Sequence, residues 1–348
     1  LLLAVAALAA QGCFPARYLA QAARGEYEIL HAARASREVI RDPDVPGRVR
    51  RLVASVRSIK AYGESQGLRP TRNYTRYADL HRPAAVWVVQ ACAPLSFTPK
   101  RWSFPVVGSL PYLGFFDPGA ARRYAEDVAR DEPLDVDVRA ASAYSTLGWL
   151  RDPVLSTMIS DGDEALGELA DVVLHESVHA TVYVRDQSAF NESLASFVAD
   201  RLTGPWLSSA LGPDAPEPRA WREARAREDA RLARLHRAYV ELDAVYRSPA
   251  PDAEKRAAKE RVLGAVRQEL RIRRPINNAT LFGFKTYGTG FADFERLLRA
   301  CGGSWPRFMA ALAALRPSDF ERAQQGAFDV VVDRAAARAC RALDASAP

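Results

Sequence analysis

EALGELADVVLHESVHATVYV, residues 164–184, holds the pentapeptide HESVH at 175–179, and its reading decides the rest of the chain. Leu166, Leu169, Ala170, Val173, Leu174, Val178 and Val182 recur three and four apart, the spacing of a helix with one buried stripe. On that helix His175 and His179 leave one face a turn apart, close enough to share a zinc ion. Glu176 points to the side where a water activated by the ion would sit. The chain has five histidines in all, so a chance pair around a glutamate is a weak rival; a solvated surface pair is the bland alternative. Asp161 and Asp163 are expected to cap the first turn, where carboxylates meet free N–H groups and the positive end of the helix dipole. The polar turn Arg185-Asp186-Gln187-Ser188 ends the helix. FNESLASFVADRL, residues 190–202, is helical again until Gly204 and Pro205 stop it, so two antiparallel helices are predicted.

A catalytic zinc site takes three protein ligands and leaves the fourth position to water. Glu192 is the candidate third ligand. It follows His179 by enough chain to finish one helix, turn, and bring a carboxylate back over the histidines. The alternative is an exposed carboxylate pairing with a residue such as Arg201. Phe190, Leu194, Phe197 and Val198 give this second helix an apolar stripe and call for close packing.

NESLASFV, residues 191–198, resembles the NExxASFV glutamate helix of gluzincin aminopeptidases such as aminopeptidase N, with a shorter interval between the two motifs. The closer similarity is to a bacterial family of predicted aminopeptidases, taken to be lipoproteins, and it spans most of the chain. Besides HESVH and NESLASFV it takes in Gly12-Cys13 followed by Tyr18 and Gln21-Ala22, FPVVGSLPYLGFFD at 104–117, AYSTLG at 143–148, DPVLST at 152–157 and NNA at 277–279. The resemblance implies peptidase chemistry rather than any one substrate. It also implies a Tyr hydroxyl, supplied from a later segment, as the second electrophile for the oxyanion. Tyr287 in KTYGTG holds that place by order. Tyr144 and Tyr112 are alternatives, and a loop aromatic packing near Phe284 or Phe291 is the non-catalytic reading.

AAVWVVQACA, FPVVGSLPYLGFF and DVDVRAASAYSTLG have the β-branched and aromatic content of strands, and Pro, Gly and Asp separate them. Residues from about Ala16 to Gly63 are helical in pattern, with a break at Asp42 to Gly47. The expected fold is α+β, mainly helical and zincin-like: a small antiparallel or mixed sheet packed on the HExxH helix and the glutamate helix, with an inserted helical hairpin. In that order of parts an edge strand holds the extended substrate backbone. Ala143, Tyr144, Ser145, Thr146 and Gly148 are the candidate substrate-binding residues; an ordinary internal strand and turn is the alternative. The hairpin spans Pro216 to about Arg274, with Leu232, Leu235, Tyr239, Leu242 and Tyr246 as its buried stripe and Pro-Ala-Pro as its break. The expected divisions are an export segment at 1–13, a catalytic part at 14–204, the hairpin at 205–274, and a C-terminal part at 275–348 that completes the catalytic domain.

LLLAVAALAAQGC is too short to span a bilayer and reads as the hydrophobic region of an export signal. Ala10-Gln11-Gly12-Cys13 resembles a bacterial lipobox, making Cys13 the candidate lipidation site and membrane anchor. Simple secretion and an uncleaved or cytosolic start are the alternatives. Cys92, Cys301 and Cys340 then permit one disulfide at most. With 48% hydrophobic residues the chain can bury a core. Its net charge of +6 is spread rather than gathered into a stripe with aromatics, so nucleic acid is not an expected partner. These features together predict a zinc-dependent peptide hydrolase, an aminopeptidase acting on peptides at the periplasmic side of the bacterial cell envelope. An envelope endopeptidase and a non-catalytic zinc-containing lipoprotein that binds a partner through the hairpin are the alternatives.

Overall fold

The computed structural model describes residues 13–104, 108–144, 150–285 and 288–339. It is α+β and mainly helical, and the chain gathers into two units, each drawn from three separate segments. One unit comprises Leu1–Ala32, Leu80–Tyr144 and Arg227–Lys285; the other comprises Ala33–Asp79, Ser145–Ala226 and Thr286–Pro348.

The first unit is organised by β3 (Val86–Cys92), the centre of a three-stranded antiparallel sheet between β6 (Leu113–Phe115) and β7 (Asp135–Ala141). Its register with β7 runs from Val86 opposite Ala141 to Cys92 opposite Asp135. β4 (Trp102–Phe104) and β5 (Gly108–Leu110) form a separate pair. α4 (Pro118–Asp131) covers the sheet with Ala121, Ala125 and Val128. At the edge of β6, α1 (Cys13–Ala32) supplies the partners that a strand edge lacks. Tyr18 Oη accepts from the Gly114 N–H, while Gln21 donates to the Gly114 carbonyl and accepts from the Phe116 N–H. Tyr18 and Gln21 thus complete a sheet.

The predicted hairpin is present as α7 (Pro216–Arg247) and α8 (Asp252–Glu269). Leu235, Tyr239, Leu242 and Tyr246 are buried with Val262, Leu263 and Val266 against Cys92, Phe97, Ile276 and Leu281. After it, α9 (Asn278–Phe282) begins with a fully buried asparagine. The Asn278 amide donates to the carbonyls of Ala93, Pro94 and Ser96, and its oxygen accepts from Tyr246 Oη at 2.8 Å. The NNA motif is a clamp between the hairpin and the loop after β3.

In the second unit β1 (Ala33–Ala35), β2 (Arg76–Ala78) and β8 (Val154–Leu155) form a small mixed sheet, antiparallel between β1 and β2 and parallel between β2 and β8. The segment read as helical from Ala16 is therefore interrupted: β1 separates α1 from α2 (Ser36–Arg41), and α3 (Gly47–Ser65) follows the predicted break. The ladder with Arg76–Ala78 overrides the alanine-rich helix propensity at 33–35. α5 (Ala165–Thr181) carries HESVH, and α6 (Ser188–Leu211) carries Glu192. Two details correct the sequence reading. Neither Asp161 nor Asp163 caps α5; the capping position is Glu164, which makes no side-chain bond there, and Arg48 holds the preceding loop through the carbonyls of Ser160 and Gly162. Gly204 and Pro205 do not stop α6, because the residues just beyond them, Trp206 and Leu207, are buried and outweigh one forfeited backbone bond. α10 (Phe291–Ala300), α11 (Trp305–Ala313) and α12 (Asp329–Ala339) complete the unit. Phe190 sits fully buried, with its ring edge-on to those of Phe294, Phe320 and Phe328. Cys92 is a free buried thiol and Cys301 is disulfide-bonded.

Asn278→Ala removes the donor shared by three part-buried carbonyls and the acceptor of the buried Tyr246 hydroxyl. It is expected to destabilise the protein by about 2–4 kcal/mol in chemical denaturation. A change below about 0.5 kcal/mol would show that the clamp contributes no stability.

Candidate metal centre

The last turn of α5 and the first turns of α6 bring three side chains together. His175 Nε2 and His179 Nε2 lie 3.2 Å apart. One Glu192 oxygen is 3.4 Å from His175 Nε2, and the other is 3.5 Å from His179 Nε2. These residues form the group, among the described residues, whose donor atoms could hold one metal ion. The fold thus brings together the three side chains singled out in the sequence.

What sets Glu192 over the histidines is its neighbour. Asn191 is buried; its side-chain oxygen accepts from the Val184 N–H at 2.9 Å and its amide donates to the Val184 carbonyl at 2.8 Å. This reciprocal pair ties the first turn of α6 to the chain leaving α5. The turn between them is held by Gln187, which donates to the Arg322 carbonyl and accepts from the Gln325 N–H. Phe190 and Leu194, both fully buried, point α6 the same way. Within α5, Ser177 donates to the Val173 carbonyl and Thr181 to the Ser177 carbonyl, so these two hydroxyls are satisfied locally.

The charges are strongly coupled. Burial alone raises the Glu192 carboxyl pKa, but hydrogen bonds and attraction from His175 and His179 overcome it and leave that pKa far below the ordinary carboxylate range. Burial disfavours the His175 imidazolium, yet Glu192, Glu176 and Asp171 outweigh it and the pKa ends raised. Asp171, one turn before His175, is pushed up to about 6 mainly by burial. The triad is unevenly exposed: the His179 side chain is 4% exposed, that of His175 23% and that of Glu192 60%. Glu176 Oε2 and His179 Nδ1 are buried without a hydrogen-bond partner. Buried Tyr74, held at φ +62°, lies in the field of Glu176.

A cavity of about 800 Å³ opens beside the triad and is lined by His179, Tyr183, Arg69, Arg72, Arg151 and Arg316, among others. The Tyr183 pKa is raised by burial and then by Glu192 and Asp186, which places its ring in the same field. Sequence reasoning missed Asn191, Tyr74, Tyr183 and the arginines. Only Asn191 and Tyr183 had a signal, their adjacency to the two motifs.

Other candidates are placed differently. Ala143 and Tyr144 follow β7, with Tyr144 edge-on to Phe116. Ser145, Thr146, Gly148 and Tyr287 lie outside the described residues, as does the side chain of Cys13. Asp117 caps α4 by accepting from the Ala120 N–H at 2.6 Å. Tyr112 is half exposed on the loop between β5 and β6.

The chain matches the Aminopep family model, described as "Putative aminopeptidase", over residues 17–325. No curated protein and no solved structure matches it.

Asn191→Ala is expected to weaken divalent-metal affinity about 10- to 100-fold, read by competition with a chelator, while Glu192→Ala abolishes stoichiometric binding. Equal affinity in wild type and Asn191→Ala would show that the clamp does not position the carboxylate. Binding should also release protons. Glu192 is already ionised, so His175 is the group that must lose one, and affinity falls as pH drops through its raised pKa. Calorimetry in buffers of differing ionisation enthalpy checks the sign.

Proposed function

The chain belongs to the Aminopep family of putative aminopeptidases, and from that premise we propose that it is a zinc-dependent peptide hydrolase, with zinc held by His175, His179 and Glu192. The observation that carries the proposal is the donor triangle. His175 Nε2 and His179 Nε2 stand 3.2 Å apart, close to the roughly 3.3–3.4 Å between two ligands about 2.0–2.1 Å from one tetrahedral ion; each faces a different oxygen of Glu192, at 3.4 and 3.5 Å, and one donor atom from each of the three residues lies within 4.8 Å of the others. Two imidazoles and a carboxylate, open on the carboxylate side, are also the donor set of catalytic zinc rather than of a closed structural site. When bound, zinc supplies Lewis acidity, acidifying water and polarising a carbonyl oxygen.

The protein's own groups do the rest. Glu176 follows His175 directly on α5, and its unpartnered Oε2 takes the proton of the attacking water and returns it to the departing amine nitrogen. Tyr287 is the proposed donor to the oxyanion, and Tyr183 is the described tyrosine that lines the cavity beside His179. Ala143, Tyr144, Ser145, Thr146 and Gly148 remain the proposed contact for an extended substrate backbone. The zincin-like architecture and removal of residues from free N-termini belong to the same reading. So does an acyl anchor at Cys13 on the periplasmic side of the envelope. Among the described residues no helix is long and apolar enough to cross a membrane.

Glu176→Gln is expected to keep its zinc, by elemental analysis, and to lose turnover on a peptide library by about 100-fold or more. Mass spectrometry of the wild-type digest should show stepwise shortening from N-termini. Full activity in Glu176→Gln would refute the hydrolytic mechanism. Tyr287→Phe should lower kcat about 100-fold with KM little changed; the same loss from Tyr183→Phe instead would assign the oxyanion role there.

A further inference from the structure

Four arginines, Arg69, Arg72, Arg151 and Arg316, stand among the described residues that line the cavity beside His179, and no Asp or Glu does. The described lining is therefore net positive. Among the described residues no acidic side chain forms an ion pair with any of the four. The backbone that bears them is fixed. The Arg69 N–H donates to Thr181 Oγ1 at 2.9 Å, against the end of the metal helix. Lys60 donates to the carbonyls of Thr71 and Asn73, which flank Arg72. The Tyr74 N–H donates to the Asp152 carbonyl, tying the Arg72 segment to the Arg151 segment. Arg316 Nη1 shares the last carbonyls of α11, and its N–H is held by the Asp319 carboxylate. Cationic side chains on anchored backbone, grouped in a concavity, focus a positive potential, and the guanidinium fork matches a carboxylate through two parallel hydrogen bonds.

We infer that this cavity is a carboxylate-binding subsite, contiguous with the metal centre through His179, that holds either the C-terminal carboxylate of a short peptide or an Asp or Glu side chain of a longer one. The inference rests on the peptidase reading for its ligand. Each residue of extended peptide spans about 3.3–3.6 Å, so a peptide whose reacting bond lies at the triad carries its next residues into the field of these arginines.

The test uses the zinc-loaded Glu176→Gln protein and three synthetic tetrapeptides in calorimetric titrations: Leu-Ala-Ala-Ala as the free acid, the same peptide as its C-terminal amide, and the amide with Glu at the third position. A carboxylate-bearing peptide is expected to bind roughly 10-fold or more tighter than the neutral amide, with the gap shrinking as salt is raised. The free acid and the Glu amide separate the two sources of the carboxylate. Adding Arg72→Gln or Arg151→Gln should narrow the gap and Arg→Lys should partly restore it, with the melting temperature unchanged because both side chains are exposed. Equal affinity for all three peptides, no binding of either carboxylate peptide, or a preference that survives both Gln substitutions overturns the inference. Failure of the peptidase reading looks different: wild type would cleave no peptide while the Glu176→Gln protein kept the carboxylate preference. Cleavage without any binding preference would remove the subsite and leave the peptidase.

Discussion

Two hydrogen bonds between the Asn191 amide and the backbone of Val184 hold the first turn of α6, which carries Glu192, to the chain leaving α5, and the arrangement of the candidate metal triad depends on them. Helix geometry gives the two histidines their common face without help, since the spacing of 175 and 179 is built into α5. The third donor comes from another helix, and its position depends on the angle at which α6 leaves the turn. Asn191 fixes that angle at a buried position, where water cannot compete for either bond, and Gln187 holds the turn from the other side. The phenylalanine cluster around Phe190 supplies the cohesion, but it is non-directional; the amide pair supplies the aim.

The centre concentrates ionisable groups in a partly desolvated place, which is costly unless they compensate one another. Glu192 stays ionised because two imidazoles face it, and His175 holds a proton more readily because carboxylates surround it. A divalent cation held by the same three residues would take the place of that proton. Preorganisation of this kind is expected where a site has to bind and react rather than merely stabilise.

Much of this was legible in the sequence, for reasons that can be named. The 3.6-residue period located α5 and put His175 and His179 on one face, and the length of the Arg185–Ser188 turn made Glu192 reachable. The first strand candidate is β3, the middle one holds β5 and β6 and shares Phe104 with β4, and the third is strand over Asp135–Ala141. What escaped depends on contacts between distant segments. Ala33–Ala35 reads as helix locally and becomes a strand only because Arg76–Ala78 lies beside it. Gly204-Pro205 reads as a stop, and α6 runs through it because Trp206 and Leu207 are buried. Tyr18, Gln21 and Asn278 were visible as parts of a pattern, yet their work of satisfying backbone groups near β6 and after β3 could be seen only in three dimensions. The arginines of the cavity come from four separate stretches, and no local signal links them.

The interleaving of the two units bears on how the chain is made. Neither unit is contiguous: the first cannot close until the hairpin and α9 have been synthesised, and the second waits for α10 to α12 near the far end. A nascent chain emerging amino end first therefore exposes the unmet apolar faces of both units together for most of its synthesis, with little native structure available to hide them. Assembly of each unit depends on closing long loops, and the interval before closure is when aggregation and proteolysis compete hardest with it.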